Sequence, residues 1–150
     1  MRSLFTVLVL TLAALPSCAT ARSRSAGSEC EMDVAVRATA ETVDDKSIEQ
    51  LFDTADESCS SDTAFMAVFN EALFNALDRK PRAFLHYFSI FRDRGLILDQ
   101  IENPVHETIA ISRIVEQLAG ISPPNQATYD ELVSSLRLAA RKLGQAPRAN

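Results

Sequence analysis

SDTAFMAVFNEALFNALDRKP, residues 61–81, decides the fold. Phe65, Phe69, Leu73 and Leu77 recur at helical spacing and form one apolar stripe, which Met66 and Phe74 widen. A helix that is apolar around most of its circumference sits at the centre of its domain. Ser60-Ser61-Asp62 supplies the N-cap. Pro81 suits the first turn of a following helix, so Asp78-Arg79-Lys80 is the corner between the two.

Working outward toward the C-terminus, Phe84, Leu85, Phe88 and Phe91, with Tyr87 beside them, predict a helix ending near Gly95. Leu96–Ile101 is a short apolar segment of one or two turns. Asn103-Pro104 reads as a helix restart, with Asn as cap and Pro at the first helical position. That helix carries Val105, Ile109, Ile111, Ile114, Val115 and Leu118, with Gly120 just past its end. Ile121-Ser122-Pro123-Pro124-Asn125 is a loop. Thr128-Tyr129-Asp130-Glu131 fits a capping box for a last helix, striped by Leu132, Val133, Leu136, Ala140 and Leu143 and ended by Gly144. From Gln145 the tail is expected to fray, most clearly over 147–150.

Toward the N-terminus, Ile48, Leu51, Phe52 and Ala55 place one apolar stripe on an acidic helix capped by Thr42 or Asp44. Residues 29–42 read as an irregular or helical lead-in. Met32, Val34 and Val36 alternate as in a strand, but no second strand follows to pair with them. The sum is an all-α domain over 29–146: a single compact bundle, or a short stack of α-hairpins, of about five helices. With no Trp and 4 Gly, a turn-rich β sandwich or barrel is excluded.

Residues 1–18 read as a signal peptide. Arg2 is the positive start, and Leu4–Leu15 is an apolar run too short to span a bilayer. Leu15-Pro16-Ser17-Cys18 resembles a lipobox, with Cys18 the residue to be lipidated and Pro16 the departure from the usual small residue. The competing reading is ordinary cleavage after Ala19-Thr20-Ala21, giving a soluble periplasmic or secreted protein. Residues 19–28, ATARSRSAGS, then form a flexible tether. The expected location is the bacterial envelope, facing the periplasm or the cell surface, with the lipid as the only membrane contact.

Either cleavage route removes Cys18 from competition and leaves Cys30 and Cys59. An oxidising compartment would join them, closing a loop that adds roughly 3–4 kcal/mol on the chain-entropy view. Two free buried thiols are the alternative.

No pattern of catalytic residues stands out. His106-Glu107 begins like a zinc-protease motif, but its second His would fall at Ala110. The plainer role for both is the first turn of a helix. A His86–His106 pair is the one conceivable imidazole metal site, and a structural histidine is the preferred reading of each. No G-x-S-x-G elbow or phosphate-cradling glycine loop occurs. No cofactor is expected.

Charge is more informative. The net charge of −5 argues against a nucleic-acid binder, which usually shows a basic face. Acids crowd residues 29–62, whereas Arg79, Lys80 and Arg82 gather at one corner, followed by Arg92 and Arg94. The acidic segment either docks on those basic turns or faces a basic partner protein. The candidate partner surface is Glu41, Asp44, Asp45, Glu49, Asp53 and Asp56, with Phe74 and Tyr87 as the aromatics expected nearest solvent. The expected function is a non-catalytic protein-interaction module. The alternatives are an inhibitor or immunity-type protein using its acidic face, and a binder of a small apolar ligand in the bundle core.

Overall fold

Asp62 starts the central helix: its carboxylate accepts from the Phe65 N–H at 3.0 Å and satisfies one of the donors that a helix N-terminus strands. In the computed structural model, which describes residues 32–39, 43–55 and 59–145, this helix is one of seven, and no strand occurs among the described residues. They are α1 (Met32–Thr39), α2 (Asp45–Asp53), α3 (Thr63–Arg79), α4 (Pro81–Ile90), α5 (Gly95–Glu102), α6 (Ile111–Ala119) and α7 (Gln126–Lys142). The all-α expectation holds, and the count rises from five to seven. The lead-in forms α1, and the short apolar segment at 96–101 forms α5.

α3 is central, as its pattern demanded: α1, α2, α4, α5 and α6 all pack against it. Phe65, Phe69, Leu73 and Leu77 have no exposed surface. α1 lies chiefly on α3, and its buried Ala35 and Ala38 let the two backbones approach closely. α7 closes the bundle against α4, α5 and α6 with Leu132, Leu136 and Ala139. The aromatic rings fill the interior edge to face or offset. Phe52–Phe84 centroids lie 5.1 Å apart, Phe52–Phe91 5.4 Å and Phe65–Phe69 5.6 Å.

Three helix ends differ from the local signals. α4 stops at Ile90, because Phe91 turns extended and the Arg94 guanidinium donates to its carbonyl at 2.8 Å. Gly95 therefore opens α5 instead of ending α4. Asn103-Pro104 does not start a helix. Asn103 ends α5 with its N–H on Asp99 O at 3.1 Å, and its side-chain Nδ2 donates to the same carbonyl at 2.9 Å. The chain from Asn103 to Ala110 is then a loop, and His106 and Glu107 lie in it, not in a first turn. α7 begins at Gln126 with Asn125 as its cap, accepting from the Thr128 N–H at 3.2 Å. Thr128 is buried, and Glu131 is bound to Arg94 at 3.0 Å instead of closing a capping box.

Two polar side chains, one buried and one half-buried, hold the irregular parts. Asn70, fully buried on α3, donates from Nδ2 to Gln100 O at 2.6 Å and accepts from the Val105 N–H at 3.0 Å. Gln145, expected to fray, is fastened: its Oε1 accepts from the Ile111 N–H at 3.0 Å and its Nε2 donates to Ile109 O at 2.7 Å. It thereby caps α6, which has no cap of its own. Gly144 ends α7 in the left-handed region at φ 67, which suits glycine.

Candidate functional site

The α3–α4 corner gathers charge for a local reason. Pro81 fixes the first residue of α4, and its neighbours Lys80 and Arg82, with Arg79 before them, are thrust outward. No side chain caps α4, so the N–H groups of Arg82 and Ala83 lack a side-chain partner and the positive end of the helix dipole is uncovered. The end of α6, at Gly120 and Ile121, and Asp45 of α2 both approach this corner. Between them lies an open groove of about 820 Å³, which His86 and Tyr87 of α4 also line.

Lys80 reaches Asp45 at 3.9 Å, with 47% and 69% of the two side chains exposed. An ion pair this long and this exposed contributes little. Arg79 donates from Nε to Asn75 Oδ1 at 2.7 Å. Arg82 makes no ion pair within the described residues.

α2 supplies the opposite charge. Asp45, Glu49 and Asp53 fall four residues apart on its exposed face. Like charges at this spacing destabilise a helix by a few tenths of a kcal/mol, and an acid in the last turn opposes the dipole. Tyr87 lies between stripe and groove, half-buried, with its ring 6.3 Å from Phe52. Partial burial pushes its phenol above the ordinary 10.0, and the charges of Glu49 and Asp45 push the same way. Asp44 is occupied otherwise. It caps α2, accepting from the Ser47 hydroxyl at 2.6 Å and the Ser47 N–H at 2.7 Å, and these bonds hold its carboxyl below the ordinary 3.8.

A second cavity of about 410 Å³ lies where α3 faces α6 and the 103–110 loop. Its Asp78 is tightly paired, and its Glu71 has only a long, exposed histidine contact. Arg113 holds Asp78 with bonds of 2.6 and 2.7 Å, and His106 Nε2 is 4.0 Å from Glu71. His86 lines the first cavity, and Glu71, the partner of His106, lines the second. Among the described residues, no three His, Cys, Asp or Glu side chains converge as a metal site.

Of the expected partner surface, Asp45, Glu49, Asp53 and Tyr87 fall on one face, at the α2–α4 edge. Phe74, expected near the surface, does not reach solvent: at 3% exposure it belongs to the core, because α3 is packed by five other helices. Glu41, Asp56, Cys18 and Cys30 lie outside the described residues. Cys59 is buried, just before the α3 cap. The α6 wall of the groove escaped the sequence reading, since Gly120 and Ile121 carry no local mark of facing residue 80. The buried Asn70 did leave a mark: it is the polar interruption in the Met66–Phe74 row. Among the described residues, no helix is long and apolar enough to cross a membrane.

Comparison of the chain with protein-family models, with curated proteins and with solved structures finds no match.

Proposed function

We propose that this chain is an exported, lipid-anchored envelope protein whose helical domain is a non-catalytic protein-interaction module, with the α2–α4 edge as its binding face. The observation that carries the reading is the open groove beside the acidic stripe: two surfaces of opposite sign lie side by side on one face, and Lys80 and Asp45, where they meet, share only a long, exposed pair. Export rests on the signal-like run ending at Cys18. A Cys30–Cys59 bond belongs to the same reading. It is favoured by the burial of Cys59 beside α3 and by the packing of α1, which begins two residues after Cys30, on α3.

Photo-crosslinking in the envelope tests the binding face. A benzophenone residue replacing Tyr87 should give discrete protein adducts, and one at exposed Arg137 on α7 should not. Equal labelling from both sites, or none from Tyr87, refutes the assignment. Metabolic labelling with a clickable fatty acid should mark the wild type and not Cys18→Ala. An unlabelled wild type beginning at Arg22 would sink the anchor.

An immunity-type inhibitor is the second reading, favoured by the uniform sign of Asp45, Glu49 and Asp53. It requires tight binding to one basic enzyme that weakens steeply with salt. An apolar ligand in the core is the weaker reading, because the rings that would line its cavity pack directly on one another.

A further inference from the structure

The geometry points to a second copy of this chain as an occupant of the α2–α4 edge: the acidic stripe of one copy enters the basic groove of the other, and the reverse contact forms about a two-fold axis near Tyr87. The inference rests on the same edge being the binding face, and it adds the identity of the partner.

A two-fold interface uses the same patch twice, so the patch must be complementary to itself. This one carries both halves of the complement. Lys80 and Arg82 provide the cations of the groove, and Glu49 and Asp53 continue the stripe away from it. Asp45 belongs to both, as the first residue of the stripe and part of the groove lining. Tyr87 also belongs to both: it lines the groove, and it feels the charges of Glu49 and Asp45. An axis near the point where opposite surfaces meet sets each against its opposite in the other copy.

At Lys80 and Arg82 the internal contacts do not compete strongly. The Lys80–Asp45 pair is long and exposed, and Arg82 has no acid within the described residues. The uncovered start of α4 adds positive potential to the same groove. Half-buried Tyr87 and Ile121 supply the apolar patch that charge pairs alone would lack. The acidic stripe opposes the stability of α2 at both its spacing and its last turn, and a cation across the interface relieves that repulsion. The net charge of −5 repels two copies at long range, so association strengthens at intermediate salt before it weakens, within a Debye length of about 8–10 Å.

The test uses purified full-length protein in mild detergent and light scattering coupled to size exclusion, across protein and salt concentration. The wild type should pass from monomer to dimer with concentration, and high salt should return it to monomer. Lys80→Glu with Arg82→Glu, and separately Glu49→Lys with Asp53→Lys, should each weaken self-association by roughly tenfold or more. The second pair removes an acid from the last turn of α2, so loss of folding does not confound it, and circular dichroism checks both. Mixed in equal amounts, the two variants should form a heterodimer that neither forms alone. A wild type that stays monomeric under every condition overturns the inference, and so does a mixture that fails to pair. If Tyr87 then still crosslinks to another envelope protein, the interaction module stands and only the homotypic partner falls.

Discussion

Replacing Asn70 by Ala tests how the irregular third of the domain is held. Asn70 is fully buried, and its amide makes two good bonds to the α5 end: 2.6 Å to Gln100 O and 3.0 Å from the Val105 N–H. Longer contacts of 3.3 Å reach Asn103 O and Gln100 Oε1. Each good bond contributes about 1 kcal/mol net, and a partner left unsatisfied in a partly buried place adds about 1 kcal/mol more. The expected loss is roughly 2–4 kcal/mol, read from urea unfolding by linear extrapolation. It should be localised as well. Amide exchange at Val105 and its neighbours in the 103–110 loop should accelerate more than that of α7, because the Val105 N–H is itself held by Asn70. Asn70→Asp separates donor from acceptor: it keeps an acceptor for the Val105 N–H but sets a carboxylate against two carbonyl oxygens. Burial and those oxygens raise its folded pKa above the unfolded value, so its stability is fullest below the unfolded pKa and falls as pH rises through the folded one. A loss under about 0.5 kcal/mol for Asn70→Ala with unchanged protection at Val105 would refute the reasoning, since contributions near 1 kcal/mol per bond leave no room for so small an effect.

Phe69→Ala and Leu73→Ala remove fully buried α3 side chains and should each destabilise by roughly 2–5 kcal/mol; values below half a kcal/mol at both sites would mean that α3 is not the core. Gln145→Ala uncaps α6 and should lose roughly 1–3 kcal/mol with faster exchange at the Ile111 amide, whereas unchanged exchange there would count against the cap. Asp44 has its folded pKa lowered by the Ser47 bonds, so its contribution is present above 3.8 and disappears as pH falls through the folded value. The gap in denaturation midpoint between wild type and Asp44→Ala should therefore be open at neutral pH and close on acidification, and a gap independent of pH would contradict this. With a Cys30–Cys59 bond, reductant should accelerate exchange in α1 and α2 before α3 to α7, because Ile48, Leu51 and Phe52 are the main apolar holdings of α2; uniform loss, or none, would argue against the staple.

What the sequence determined by itself about this protein is the part written in short intervals. The four-residue rhythm of Phe65, Phe69, Leu73 and Leu77 gave the central helix, because a stripe of that width has to be buried wherever the chain places it. Asp44 and Asp62 as caps, Pro81 at the head of α4 and Gly144 at the end of α7 were legible for the same reason: each acts on backbone within four residues of itself. Half of the candidate face was also readable, in the Arg79-Lys80-Arg82 cluster and the spacing of Asp45, Glu49 and Asp53. Tertiary structure decided the rest. Asn103-Pro104 carries every local mark of a helix start, yet Asn70 takes the Val105 N–H from 35 positions away and Lys142 donates to Asn103 Oδ1 from 39. Gln145 reads as a loose tail and instead caps a helix 34 positions earlier. The groove exists only because Ile121 and Asp45 come to line one cavity with Lys80, an encounter set by how α2 and α6 pack around α3. A local pattern states which groups seek a partner, and only the folded chain brings the distant partner within bonding distance.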